Sequence, residues 1–414
     1  MKMHNKLRLL GITLLFLLPM WLVVPVANAQ PPANDDFDNA TPITGALNSF
    51  ALIPTSGGLT PQEELGKNLF FDTNLSEPTG QSCAVCHGPE VGFTGPDEAI
   101  NAGGTVYEGA VPGRFGNRKP PTAAYAGDSP IFHLTKKSGW VGGMFWDGRA
   151  TGERLGDPLA EQALGPFLNP LEQNLPSPAE VVDKVCGSSY KALFEEVCGQ
   201  CDGIDVNQAY DCIGFAIAAY ERSSEVTQFT SKYDYSLKEM ATLTQEERKG
   251  FSLFKGKGKC AKCHVINGPK PLFTDFTYDN IGMPKNPLNP FYNEPEWNPL
   301  GSAWVDYGLG EFLQSAGYDV NVYEKELGKF KVPTLRNVDK RPYPDFIKAF
   351  GHNGYFKSLE EIVHFYNTRD VEDWPDPEVP MNINTAELGN LGLTADEEAA
   401  LVAFMKTLSD GYMP

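Results

Sequence analysis

Cys83-Ala84-Val85-Cys86-His87 recurs as Cys260-Ala261-Lys262-Cys263-His264. Two cysteines two residues apart, with histidine directly after, is the spacing of c-type haem attachment. Two thiolates add to the two vinyl groups of one porphyrin, and the adjacent histidine falls under the iron as its proximal ligand. A Cys-x-x-Cys pair alone would also suit zinc or thiol redox chemistry. Disulfides alone would leave the histidine after each pair unexplained in a chain with only six histidines. The motifs therefore predict two covalent haems, attached through Cys83, Cys86, Cys260 and Cys263, with His87 and His264 as axial ligands.

The remaining cysteines, Cys186, Cys198, Cys201 and Cys212, crowd one short segment. Cys198-Gly-Gln-Cys201 is followed by Asp202, not histidine, so it is no third haem site. Two structural disulfides are expected, in any of three pairings. An exported chain fits this chemistry. Lys2, Lys6 and Arg8 precede an apolar run from Leu9 to about Val26, and Ala27-Asn28-Ala29 reads as a cleavage site. Residues 1–29 are thus expected to be a signal peptide, and no later stretch is apolar enough to span a membrane. The net charge of −19 becomes −22 once those three cations are lost. Such acidity argues against nucleic acid and anionic lipid as partners and suits a basic electron-donor protein.

The elements that must position the motifs are also duplicated. Leu59-Thr60-Pro61-Gln62-Glu63-Glu64-Leu65-Gly66-Lys67-Asn68-Leu69-Phe70 and Leu243-Thr244-Gln245-Glu246-Glu247-Arg248-Lys249-Gly250-Phe251-Ser252-Leu253-Phe254 share Leu-Thr-x-x-Glu-x-x-Gly-x-x-Leu-Phe. Thr60 with Glu63, and Thr244 with Glu247, predict capping boxes that start a helix in each half. Residues 30–58 read as an irregular lead-in, and 88–177 and 268–328 as long irregular loops. Helices are expected at about 178–198 and 206–223, and from Thr394, where Leu401, Phe404, Met405 and Leu408 form one apolar face. The fold class is mostly α: two cytochrome c-like haem domains with long irregular loops, 30–233 and 234–414.

Between the motifs lie Phe145-Trp146-Asp147-Gly148-Arg149, Gln162-Ala163, Gly165-Pro166 and Asn169-Pro170-Leu171-Glu172. Lys331-Val332-Pro333-Thr334-Leu335-Arg336-Asn337 and His352-Asn353-Gly354 follow. With the two haem motifs, these blocks resemble the bacterial di-haem cytochrome c peroxidase family, which includes the methylamine dehydrogenase maturation enzyme. The resemblance spans essentially the whole chain after the leader. It implies a peroxidatic haem at His87 and an electron-entry haem at His264. Trp146 is similar to the family's inter-haem conduit, Glu172 to its acid–base glutamate, and Gln162 to the glutamine beside it. It also implies hydrogen peroxide as substrate, a cytochrome or cupredoxin as donor, and a periplasmic location. It leaves a homodimer open.

The chain departs from that pattern in three places. Many members carry a histidine in the loop matching Gly113–Thr122, which caps the peroxidatic iron. No histidine lies between His87 and His133 here, so that haem is expected to stand open. The second haem's sixth-ligand position falls on Tyr366, as in the maturation enzyme. Ser358 and Glu361 predict a capping box, and Leu359, Ile362, Val363 and Tyr366 then share one helix face. Met283 and His364 are alternative ligands. The family also holds calcium between its haems. Its usual asparagine falls at about Tyr125, and its Thr-x-Pro segment is replaced by Arg341–Gly351, so calcium stays open with no residues assigned. Three readings follow: a peroxide-reducing enzyme, a maturation-type enzyme oxidising a protein through high-valent haem, and a plain electron carrier. Glu172 and Gln162 speak against the carrier, which needs no proton shuttle.

Overall fold

The computed structural model describes residues 58–414. The expected signal peptide and most of the lead-in lie outside the described residues. Eight helices of eight or more residues carry the architecture: α1 (Pro61–Phe71), α2 (Pro158–Leu168), α3 (Pro178–Cys186), α4 (Lys191–Cys198), α5 (Val206–Arg222), α6 (Gln245–Lys255), α7 (Leu359–Thr368) and α8 (Ala395–Lys406). Among the described residues, strand is confined to two short antiparallel pairs. In the first, His133–Thr135 (β1) meets Gly139–Val141 (β2), with Leu134 opposite Trp140. In the second, Tyr278–Asp279 (β3) meets Phe330–Lys331 (β4), with Tyr278 opposite Lys331. The protein is mostly α.

The duplicated segment forms α1 and α6, and both capping boxes are present at Thr60/Glu63 and Thr244/Glu247. The shared glycine has a packing reason. A methyl group on Gly66 would collide with Ala216 O of α5, and one on Gly250 with Ala400 O of α8. Each half therefore crosses its first helix over its last at a glycine, backbone against backbone. Around the α1–α5 crossing lies a core from Leu65, Leu69 and Phe70 to Val226, which includes Phe167, Phe194 and Ile217. Around the α6–α8 crossing lies a second, built from Phe254, Phe273, Phe365, Leu401 and Phe404.

Three expectations need correction. The helix expected over 178–198 is two helices, α3 and α4, because Gly187-Ser188-Ser189-Tyr190 breaks it. The stretch 88–177 is not all loop, since it contains α2, started by Asp157, whose carboxylate accepts from Leu159 N and Ala160 N, with Pro158 at the first helical position. The Ser358 box is only half formed. Ser358 Oγ accepts from Glu361 N at 3.1 Å, but the Glu361 carboxylate takes Lys357 N at 2.6 Å instead. The disulfides are Cys186–Cys201 and Cys198–Cys212, which interlace α3, α4 and α5.

Candidate active site

Each Cys-x-x-Cys-His closes one helical turn. His87 N donates to Cys83 O and His264 N to Cys260 O, both at 2.9 Å. The imidazoles are held alike. His87 Nδ1 lies 3.1 Å from Phe93 O, and His264 Nδ1 lies 2.8 Å from Phe273 O. An Nδ1–H bonded to a carbonyl leaves Nε2 as the free lone pair, the tautomer a metal needs. Burial holds His87 down at about 4, with the Phe93 carbonyl opposing, and lowers His264 likewise. Both rings are therefore neutral at pH 7. The four motif cysteines form no disulfide. Burial raises the Cys83, Cys260 and Cys263 thiols to about 12 and pushes Cys86 up further. Paired thiols beside a neutral imidazole with a free Nε2 are the donor set of a covalently attached haem, and the residues fit two such groups. Pyridine haemochrome analysis of the purified protein should give two haems c per chain, and a value near one would contradict the reading.

A second duplication surrounds the motifs. Thr122 Oγ1 donates to Gly92 O at 2.7 Å, and Thr334 Oγ1 donates to Leu272 O. Gly92 and Leu272 immediately precede the two histidine-bonding residues, Phe93 and Phe273. Thr94 Oγ1 donates to Pro120 O, and Thr274 Oγ1 to Val332 O, each at 2.7 Å. Lys119-Pro120-Pro121-Thr122 thus matches Lys331-Val332-Pro333-Thr334. Both lysines are buried deeply enough to lower them to about 7. Lys119 Nζ donates to Thr94 Oγ1 at 2.8 Å, and Lys331 Nζ donates to Ser129 Oγ at 2.9 Å.

Trp146 sits between these repeats. Its indole N–H donates to Lys119 O at 2.8 Å, and its own carbonyl accepts from Lys331 N at 2.8 Å. The ring is 8 % exposed and lies edge-on to His352, 6.5 Å away, while His352 stacks on Phe330 at 3.5 Å. One cavity runs from Cys260, His264 and Tyr366 past His352 and Trp146 to Lys119 beside the first motif.

On the His87 side, Glu172 reaches Cys86 closely enough for its charge to raise that thiol. Burial raises Glu172 itself, opposed first by the Arg149 charge and then by a hydrogen bond from Asn169. Arg149 is aimed by Asp147, whose two carboxylate oxygens it contacts at 3.0 and 2.9 Å, and its guanidinium lies over Phe145 at 3.8 Å. Gln162 is half-buried on α2, one turn before Gly165. Because Gly165 packs against the Phe145 ring, Gln162 shares the face turned toward the Phe145–Arg149 block. The loop lacking a histidine is pinned at Arg118, which bonds Asp147 at 2.5 Å and Asp306 at 2.7 Å. The three side chains are almost fully buried, and Arg118 holds Asp147 well below the usual carboxylate range despite that burial.

On the His264 side, Leu359, Ile362, Val363 and Tyr366 all line the cavity. Burial raises the Tyr366 hydroxyl, with the Asp279, Cys263 and Cys260 charges adding to it, and Tyr366 lines the same cavity as Cys260, Cys263 and His264. Met283 lines the same cavity, with its thioether against Gly351. His364 does not. Its Nδ1 meets Glu398 at 3.0 Å and its Nε2 meets Glu372 at 3.1 Å, on the outer side of α7. Both His364 ring nitrogens are thus engaged by carboxylates away from the cavity.

Residues 60–242 match the family model described as di-haem cytochrome c peroxidase. The chain is 36% identical over 366 residues to the methylamine utilization protein MauG of Paracoccus denitrificans, covering 84% of this chain and 88% of that protein. The chain belongs to the di-haem cytochrome c peroxidase family. It is also 30% identical over 349 residues to the cytochrome c551 peroxidase of Nitrosomonas europaea, covering 84% of this chain and 79% of that protein. Among solved structures, the diheme peroxidase BthA from Burkholderia thailandensis superposes with a TM-score of 0.72 at 32% identity, covering 85% of this chain and 87% of that one. As a member of this family the chain is an oxidoreductase with c-type haem. No helix among the described residues is long and apolar enough to cross a membrane.

Lys119, Lys331, Arg118 and Arg149 are the site residues that sequence reasoning missed as such. The signal for the lysines was present: Lys-x-Pro-Thr occurs at 119–122 and 331–334. Its meaning depends on spacing to Gly92 and Leu272 that only the folded chain shows.

Proposed function

We propose that the protein is an exported di-haem peroxidase. It reduces hydrogen peroxide to water at the His87 haem, with electrons from a periplasmic cytochrome or cupredoxin entering through the His264 haem and crossing by Trp146. Two cytochrome c-like domains, 30–233 and 234–414, would hold the haems, a division supported by the separate cores around the α1–α5 and α6–α8 crossings. The observation that carries the reading is Glu172, a carboxyl raised by burial, near Cys86 and facing Arg149. Bound there, haem supplies an iron that takes peroxide and exchanges electrons. The protein supplies the proton path. Glu172, whose carboxylate form the Arg149 charge favours, accepts a proton from one peroxide oxygen and returns it to the other. Two electrons and two further protons complete the conversion to two waters. Trp146, bonded to both halves, bridges the cavity along which those electrons pass.

Tyr366 favours a second reading, in which the same oxidising chemistry is directed at a protein substrate. An oxygen ligand at the second iron favours ferric and higher states over ferrous. The deciding experiment is steady-state peroxide consumption by the as-isolated holoprotein with a reduced cytochrome c. The first reading expects donor oxidation without any pre-reduction of the enzyme, because no histidine stands in the 113–122 loop to cap the first iron. Absence of turnover with every small donor protein would favour the second.

A further inference from the structure

Lys348 is buried, 4 % exposed, in the stretch that replaces the shorter family segment before His352. Its Nζ donates to Val91 O at 2.8 Å, Asn337 O at 2.8 Å and Lys340 O at 2.9 Å. Three acceptors need three N–H bonds, and only the ammonium form has them. Burial, Lys119, Arg341 and Lys340 push this group down from the usual lysine range and Asp339 pushes it up, and against that push stand three carbonyls placed as the acceptors of an ammonium. The carbonyls come from both halves. Val91 lies in the turn between His87 and Phe93, whose carbonyl orients the His87 ring. Asn337 closes the repeat whose Thr334 braces Leu272, next to the carbonyl that orients the His264 ring.

We propose that the Lys348 ammonium is the structural cation at the junction of the two haem-bearing halves, and that the protein holds no calcium there. Calcium takes six to eight oxygens at about 2.3–2.6 Å, and here three carbonyls converge on a nitrogen. The position where an asparagine was expected carries Tyr125. Its hydroxyl is spent, donating to Asp410 at 2.7 Å and accepting from Phe229 N at 2.8 Å. Arg341, at the start of the replacing stretch, turns its guanidinium on that stretch's own carbonyls, at Pro344 and Phe346. Lys119, a second buried lysine, lies close enough to Lys348 to be felt electrostatically. Lys348 thereby ties together, within one chain, the two turns that orient the proximal histidines.

The test is metal analysis of the holoprotein by inductively coupled plasma mass spectrometry, before and after EGTA, with visible and electron paramagnetic resonance spectra and Tm. The expected result is no calcium above background, and spectra and Tm unmoved by EGTA or by added calcium. One tightly held calcium per chain, or a spectral change with EGTA that calcium reverses, would overturn the proposal. Lys348→Met gives the second arm. It should lower Tm by several degrees and shift the haem signals with both haems still attached, because three carbonyls lose their donor. A folded variant with unchanged Tm and spectra would also overturn it. The wild-type metal arm stands even if the variant does not fold.

Discussion

Glu172→Gln is expected to cut peroxide turnover by ~10²–10⁴-fold, the range for loss of one proton-transfer group, while both haems stay attached. Glutamine keeps the shape and the backbone bonds. Ala110 N would still donate to residue 172 O at 2.6 Å, and residue 172 N to Asn169 O at 3.0 Å. It removes a carboxyl near Cys86 that can both take and return a proton. Burial raises Glu172 from its ordinary value, opposed by the Arg149 charge, and the raised value favours the protonated form that hands a proton on. The check is steady-state turnover paired with haemochrome content. Turnover within a few-fold of the unaltered protein would place the shuttle elsewhere.

Arg336→Leu is expected to destabilise the fold by about 3–5 kcal/mol, the cost of breaking a buried ion pair by removing one partner. The Arg336 side chain is 0% exposed and its partner Asp234 3%. Their contact is 2.8 Å, and Arg336 Nε also donates to Pro271 O at 2.8 Å. Tyr125, Phe229 and Phe273 surround the guanidinium at 5.5, 4.9 and 5.3 Å from their ring centres. The pair therefore joins the first half, through Tyr125, to the second, through Phe273, whose carbonyl orients His264. Leucine would leave Asp234 buried beside Ser231 with no counter-charge. Denaturant unfolding of the holoprotein checks this, and a loss under about 1 kcal/mol would mean that the cluster relaxes around the change.

What the chain made legible followed from period and spacing. The two haem motifs need only local sequence, because one helical turn brings both sulphurs and the imidazole to one side. The cavity-lining face of α7 was legible because 3.6-residue periodicity puts Leu359, Ile362, Val363 and Tyr366 together whatever they pack against. The same periodicity set His364 on the other side, where Glu398 and Glu372 hold it. The shared glycine of the duplicated helices marked a feature of both halves, but its meaning, a backbone crossing at Ala216 and Ala400, lies in helices far along the chain. Lys348 was invisible for a related reason. A lysine in a Pro-rich stretch reads as solvated surface, and its three acceptors come from Val91, Asn337 and Lys340. α2 was passed over because Gly165 and Pro166 interrupt its pattern, although Asp157-Pro158 is an ordinary helix start. The disulfide pairing was undetermined because four cysteines allow three connectivities, and which of them meet depends on how α3, α4 and α5 fold back on one another.

The division of labour between the two haems is the central claim, and electron paramagnetic resonance of the as-isolated ferric protein tests it most directly. The predicted spectrum has one high-spin signal, from a His87 haem with no protein sixth ligand, and one low-spin signal, from a His264 haem closed by Tyr366. In Tyr366→Phe only the low-spin signal should change, while in Met283→Leu neither should. Two low-spin haems at rest, or a low-spin signal untouched by Tyr366→Phe and lost in Met283→Leu, would contradict the account.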